Sequence, residues 1–348
     1  MTTSKRLWGL DLFKLSAACL VILLHTVPNA QVDHFLNIVA SHDEPVRPFL
    51  ICSGFLWAMA AHRREVDRPL DYYRTLFPRW LAQILIPYTI LYGFEVLYHS
   101  FFVTWNNLNT WYYPFLNGDP RGFFRIREMA AMFLTGGPGP GGYYIGLLVQ
   151  LLILFPLFRW FYAKFPWPCF ILTILCMYKL GAVSPIWQHF EALVEVTGIR
   201  AIGLDRLLTF LLGMATFQVG IKWQWYHAAL FAAAGWLIRG RSFGLSLLLI
   251  MEALLLAGIC ISRVSLPSFT AGLLGHLGKA SYFIFLFQKA YCATGVTHFL
   301  FLYVRDPEWI PPIICLLGGI VYYALYSLGK AILLRIIKRL KRQPQPVA

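Results

Sequence analysis

The chain is a succession of apolar runs separated by short polar or basic stretches, most of them near the length needed to cross a bilayer. In order they cover 10–30, 46–61, a third run beginning near 77, then 143–162, 168–186, 201–219, 225–238, 243–261, 279–303 and 310–336. The pattern predicts an all-α, polytopic integral membrane protein with about ten transmembrane helices. Pro87 predicts a kink in the third span, which frees backbone groups that then need partners. The run 225–238 is short, and Arg239, Gly240 and Arg241 after it read as a turn or as the break of a helix pair. The longest connection, 99–142, carries Trp105, Trp111, Tyr112 and Tyr113, then RGFFRIREMAAMFL, a short interfacial or re-entrant helix. It ends in GGPGPGGYY, which lacks the GK[ST] ending of a phosphate loop. That stretch reads as a helix-breaking turn or a lid over a cavity.

Composition agrees with a membrane protein. Of 348 residues, 58% are hydrophobic and only 13% charged, with mean hydropathy +0.61; a soluble domain is nearer a quarter charged. The net charge of +14 does not point to nucleic acid, because the basic residues lie mainly between apolar runs and at the C-terminus. There they act as topology signals and contacts for anionic lipid. Lys5, Arg6, the basic loop 62–79, and 335–342 fall on one side of the ten-span arrangement. Their excess places both termini in the cytoplasm, with the chain in the cell's inner membrane. The seven cysteines all lie in apolar runs, without a CxxC pair, and read as small core residues. No metal is expected. No cleavage-site pattern follows the first run, so that helix is expected to remain in the mature protein.

The first run, LDLFKLSAACLVILLHTVPNA, carries ionisable residues that are costly inside a membrane: Asp11, Lys14 and His25. Lys14 and His25 are eleven residues apart, so at about 100° per residue they share one helix face about three turns apart. Asp11, Lys14, Ala18 and His25 form one stripe, expected to line an internal cavity. A basic residue near the cytoplasmic mouth suits an anionic donor. A desolvated imidazole farther in suits a base. The alternative is a His that is simply hydrogen-bonded to another helix. Asp11 either positions Lys14 or serves the helix N-terminus. Other polar residues within the runs are Ser53, Gln150, Asp205, Arg206, Glu252, Ser281, Tyr282 and Gln288. Asp205 and Arg206 either meet an acceptor from the outer side or snorkel at the interface. Glu252 is expected to pair with a buried cation or join the site, and Glu95, near an outer helix end, to be solvated.

The Lys14-x10-His25 arrangement resembles the first helix of the membrane-bound acyltransferase-3 family, whose motif is Arg or Lys, ten residues, then His. RPFLICSGFL (47–56), GGYYIGLLVQLLILFPLF (141–158), LDRLLTFLLGM (204–214) and LGKASYFIFLFQKA (277–290) resemble further segments of that family in order. The family's Arg-x-x-Arg pair before Pro-Tyr is incomplete here: in PRWLAQILIPY, Arg79 is close to the first position and Gln83 falls near the second. Gln288 stands where a His is common, and Phe285 where Tyr is common. The resemblance implies one transmembrane acyltransferase domain over 1–342, with a short disordered tail at 343–348. It implies an O-acyltransferase, most simply an O-acetyltransferase, that moves an acyl group from cytoplasmic acyl-CoA. The implied acceptor is a hydroxyl of a carbohydrate, a lipid-linked glycan or another cell-envelope molecule. His25 would be the catalytic residue, either deprotonating the acceptor hydroxyl or briefly accepting the acyl group, with Lys14, Arg74, Arg79 and Gln83 binding the donor. Asp11, Ser53, Tyr144, Arg206, Glu252, Ser281, Tyr282 and Gln288 would bind substrate or support the site. Two other readings stand beside it: a transporter or flippase using the buried charges as a permeation path, and a non-catalytic scaffold.

Overall fold

The computed structural model describes residues 7–26, 46–66, 68–98, 133, 143–195, 203–293 and 310–340. Eleven helices run through them, with no strand among the described residues. They are α1 (Trp8–Thr26), α2 (Arg47–His62), α3 (Pro69–Tyr98), α4 (Tyr143–Lys164), α5 (Pro166–Tyr178), α6 (Leu180–Glu195), α7 (Leu204–Gln218), α8 (Trp225–Ile238), α9 (Phe243–Ile261), α10 (Ser268–Ala293) and α11 (Ile310–Leu340). The helical fold follows from runs that satisfy every backbone group internally.

Five helices, α1, α3, α4, α9 and α11, are long and apolar enough to cross a bilayer. The pair α5 and α6 adds a sixth if counted as one span, bent by 95° at the break between them. The single run expected over 168–186 is therefore two helices, separated near Lys179, where the backbone leaves helical geometry. Helices α2, α7 and α8 have 16, 15 and 14 residues and reach only about 21–24 Å. The protein is thus multi-pass, and helical throughout the described residues, five or six of whose spans qualify by length and composition.

Two boundaries move by two turns or more. Helix α3 starts at Pro69, not near 77, so Arg74 and Arg79 lie on a helix and the basic loop is shorter than expected. Pro69 opens it with a preset φ, and Asp71 in the first turn faces the helix dipole. Helix α10 starts at Ser268, eleven residues before the expected 279. The interfacial helix expected before 142 and the tail 343–348 lie outside the described residues, except Phe133, whose carbonyl accepts a 2.9 Å bond from the Tyr88 hydroxyl.

Helices α2 and α7 pack in parallel. A Cβ on Gly54 would sit 2.0 Å from the Phe210 carbonyl oxygen, and one on Gly213 2.0 Å from that of Ile51. Only glycine allows backbones so close, the small-residue contact that membrane helices use in place of a hydrophobic driving force. Aromatic rings join these helices to α3 and α4: Trp57 stacks on Trp80 at 5.3 Å, and Phe155 meets both rings edge-on. Helix α1 packs on α9 and α10, and α10 packs on α11. The turn of α3 around Pro87 is attended by neighbours. The Tyr322 hydroxyl donates to the Pro87 carbonyl, and the Tyr282 hydroxyl donates to that of Ile84 at 2.9 Å.

Candidate active site

The stripe on α1 begins at a close contact with α10. Asp11 is 6% exposed, and a Cβ on Gly278 would lie 2.3 Å from the Asp11 Cβ. Gly278 therefore makes the room that Asp11 occupies. One turn on, Lys14 Nζ is 3.0 Å from Asp11 Oδ1, with 20% of the lysine side chain exposed. Ala18, next on the stripe, is fully buried. Asp11, Lys14 and Ala18 thus face the interior. Cys52 of α2 lies within electrostatic reach of both Lys14 and Asp11.

His25 is in the last turn of α1 and is exposed. Its main-chain carbonyl lies 3.9 Å from Cys292 Sγ of α10. The eleven residues between Lys14 and His25 correspond to about 16 Å along the axis. Residues 27–45, which follow α1, lie outside the described set.

Between those depths sits a polar and aromatic cluster. The Tyr144 hydroxyl is hydrogen-bonded to Ser53, and its ring is 5.1 Å from Phe285 and 6.1 Å from Phe49. Tyr282 is within electrostatic reach of Tyr144 and Tyr88. Ser281 donates to the Gly278 carbonyl at 2.8 Å and so closes its own helix turn. The structure brings Ser53, Tyr144 and Tyr282 together.

The end where α1 stops holds two ion pairs. Arg47 Nη2 reaches Asp205 Oδ2 at 2.8 Å, joining the starts of α2 and α7. Arg206 stacks its guanidinium over Tyr143 at 4.6 Å. Lys289 Nζ lies 2.9 and 3.1 Å from the two Glu95 oxygens, at 0% and 2% exposure. The solvated Glu95 expected from the sequence is instead a buried partner, because α10 carries a cation to its level. Next to it Gln288 is fully buried, donating to Cys292 Sγ at 3.3 Å.

Among the described residues no cation pairs with Glu252. Its Oε1 accepts from the Thr216 hydroxyl at 2.7 Å, at zero exposure, between α9 and α7. Arg74 is exposed on α3. Arg79 and Gln83 line a lateral groove between α3 and α11, together with Lys330. Neither Arg74 nor Arg79 meets Lys14 among the described residues. A smaller recess of about 360 Å³ lies between the start of α3 and the end of α4, lined by Arg68, Arg159, Lys164 and Trp160 among others. No group of three or more His, Cys, Asp or Glu side chains that could hold a metal is found among the described residues.

Reading the sequence missed the Lys289–Glu95 and Arg47–Asp205 pairs. The signal was available: single charges of opposite sign inside apolar runs tend to find one another. Their partners were not, because the pairs join residues 194 and 158 positions apart.

No curated protein and no solved structure matches the chain. A family model described as an acyltransferase domain matches residues 7–329, from the residue before α1 to the middle of α11. With nearly the whole chain inside that match and an inward-facing Lys14 on its first helix, the protein belongs to the acyltransferase-3 family of membrane acyltransferases.

Proposed function

We propose that the protein is an integral-membrane O-acyltransferase, most simply an O-acetyltransferase, of the inner membrane. It moves an acyl group from cytoplasmic acyl-CoA to a hydroxyl of a carbohydrate or lipid-linked glycan of the cell envelope. The observation that carries this reading is the Asp11–Lys14 pair, held on the inward face of α1 about three turns before His25. It supplies a fixed cation on the donor's side of the histidine.

In this mechanism Lys14 holds the donor's phosphates by charge-assisted contacts. Asp11 keeps Lys14 extended along the stripe. Ser53, Tyr144 and Tyr282 offer hydroxyls to the polar arm of the donor as it passes. His25 takes the proton of the acceptor hydroxyl as the oxygen attacks the thioester carbonyl. The C–S bond then breaks, and the CoA thiolate leaves and collects that proton. Arg206 and Gln288, near the same end of the helices as His25, contact the acceptor.

The test uses the purified protein in vesicles with labelled acetyl-CoA and extracted envelope glycans. CoA release should depend on the glycan. His25→Ala should lower it by about a hundredfold or more, the usual range for a general base, with unfolding temperature unchanged. Equal CoA release by that variant would end the catalytic assignment. Solute accumulation in vesicles without CoA turnover would favour a permeation path instead.

A further inference from the structure

A groove of about 820 Å³ lies between α3 and α11. Its walls change character along their length. At one end stand Arg79 of α3 and Lys330 of α11, with Gln83 beside them; farther along come Ile86, Ile90 and Phe94. No acidic residue lines it, and neither cation forms an ion pair among the described residues.

The helix lengths set where this groove lies. With 30 and 31 residues, α3 and α11 are each about 45 Å long, against about 30 Å of hydrocarbon core. About ten residues of each must therefore lie beyond the core. Arg79 is the last charge of α3 before an uncharged stretch that ends only at Glu95. Lys330 is the first charge of α11, after an uncharged stretch from Ile310. Both cations thus mark the same boundary between headgroups and hydrocarbon, on the side where α3 begins and α11 ends. The apolar wall beyond them opens sideways: Ile86, Phe94 and Leu325 are 48%, 64% and 62% exposed. From Arg79 to Phe94 the groove follows α3 for fifteen residues, about 22 Å.

A pair of cations at the membrane boundary, without an ion-pair partner among the described residues and leading into an open apolar channel, matches one molecule in shape and charge. We infer that this groove binds an anionic phospholipid, with its phosphate between Arg79 and Lys330 and an acyl chain along Ile86, Ile90 and Phe94. A zwitterionic lipid brings its own cation to the same place and loses the advantage. A soluble nucleotide has no use for the apolar wall. The assignment does not rest on the acyl-transfer reading.

The test titrates delipidated full-length protein in detergent with phosphatidylglycerol or phosphatidylcholine carrying identical chains. Bound lipid is counted by native mass spectrometry, and unfolding temperature is followed in parallel. Phosphatidylglycerol should bind more tightly to the unaltered protein. Arg79→Gln and Lys330→Gln should each weaken that preference about fivefold, the effect of one basic residue at a membrane surface. Gly329→Trp should expel both lipids, since nothing lies within 4 Å of a Cβ at Gly329 and the indole would fill the groove. Arg335→Gln and Lys338→Gln, on α11 but outside the groove, should weaken the preference clearly less than the groove variants do. Equal affinity for the two lipids would overturn the assignment, as would an undiminished preference in both groove-cation variants or an equal loss in the two controls. A particle of doubled mass that Gly329→Trp splits would give the groove to a second copy of the chain instead. If the tryptophan variant does not fold, the exposed Gln variants decide alone.

Discussion

Lys289 and Glu95 meet at 2.9 Å with both side chains out of solvent and lipid, where neither ion tolerates solitude. Removing one partner strands the other, which costs about 3–5 kcal/mol in buried pairs, whereas replacing both with apolar groups is often close to neutral. Lys289→Met should therefore lower the unfolding temperature sharply, and Lys289→Met with Glu95→Leu should recover most of the loss, measured by thermal unfolding in detergent. If the double variant is no better than the single one, the pair is not an isolated electrostatic unit. Asp11 and Lys14 make a contrasting pair, because the lysine remains part-exposed and its contact with Asp11 spans a single helix turn. Lys14→Ala should raise KM for acyl-CoA by about tenfold while changing kcat less, since a contact kept from ground state to transition state is lost in binding. A fall in kcat with KM unchanged would move Lys14 from donor binding to the chemical step.

At the scale of elements, the decisive contacts are between backbones. Gly54 and Gly213 let α2 and α7 touch, and the Arg47–Asp205 pair then joins the starts of the same two helices. A methyl group at Gly54 meets a carbonyl oxygen, not a flexible side chain, so the helices themselves must separate. Gly54→Ala should destabilise by about 1–3 kcal/mol, as overpacking does. Gly93→Ala on α3, where nothing lies within 4 Å of the added Cβ, should be neutral or gain up to about 1 kcal/mol of helix propensity. Comparing the two unfolding temperatures checks both. Nothing in the composition of RPFLICSGFL separates Gly54 from a glycine that merely fills a turn; the difference lies on the other helix. The early starts of α3 and α10 have a similar cause. The initial turns of α3 are polar, so a hydropathy pattern ends the run where lipid would end, while the helix goes on into the interface.

For the molecule as a whole, the family match and the apolar helices make it a multi-pass membrane acyltransferase, and orientation is the property most open to a direct check. Charge asymmetry between loops predicts both termini on the cytoplasmic side. Single cysteines placed at Arg64 and Arg342 in a cysteine-free background should react with an impermeant maleimide only from the cytoplasmic face, and one at Asn107 only from the opposite face. Labelling of Arg64 and Arg342 from opposite faces would require an odd number of crossings between them. The amino-acid sequence by itself determined the membrane solvent, the helical class and the shared inward face of Asp11, Lys14 and Ala18, because each depends on composition or on a 3.6-residue period within one segment; His25, expected on that face, is exposed instead. Only tertiary structure decided that Glu95 is buried against Lys289, that Glu252 meets Thr216 rather than a cation, and that Arg79 and Gln83 turn toward α11. The first two of those contacts join residues 194 and 36 positions apart, and the third joins α3 to a helix still farther along the chain. In lipid, where apolar faces are nearly equivalent, such partners are chosen by the close fit of small residues and the pairing of buried charges, which no single run records.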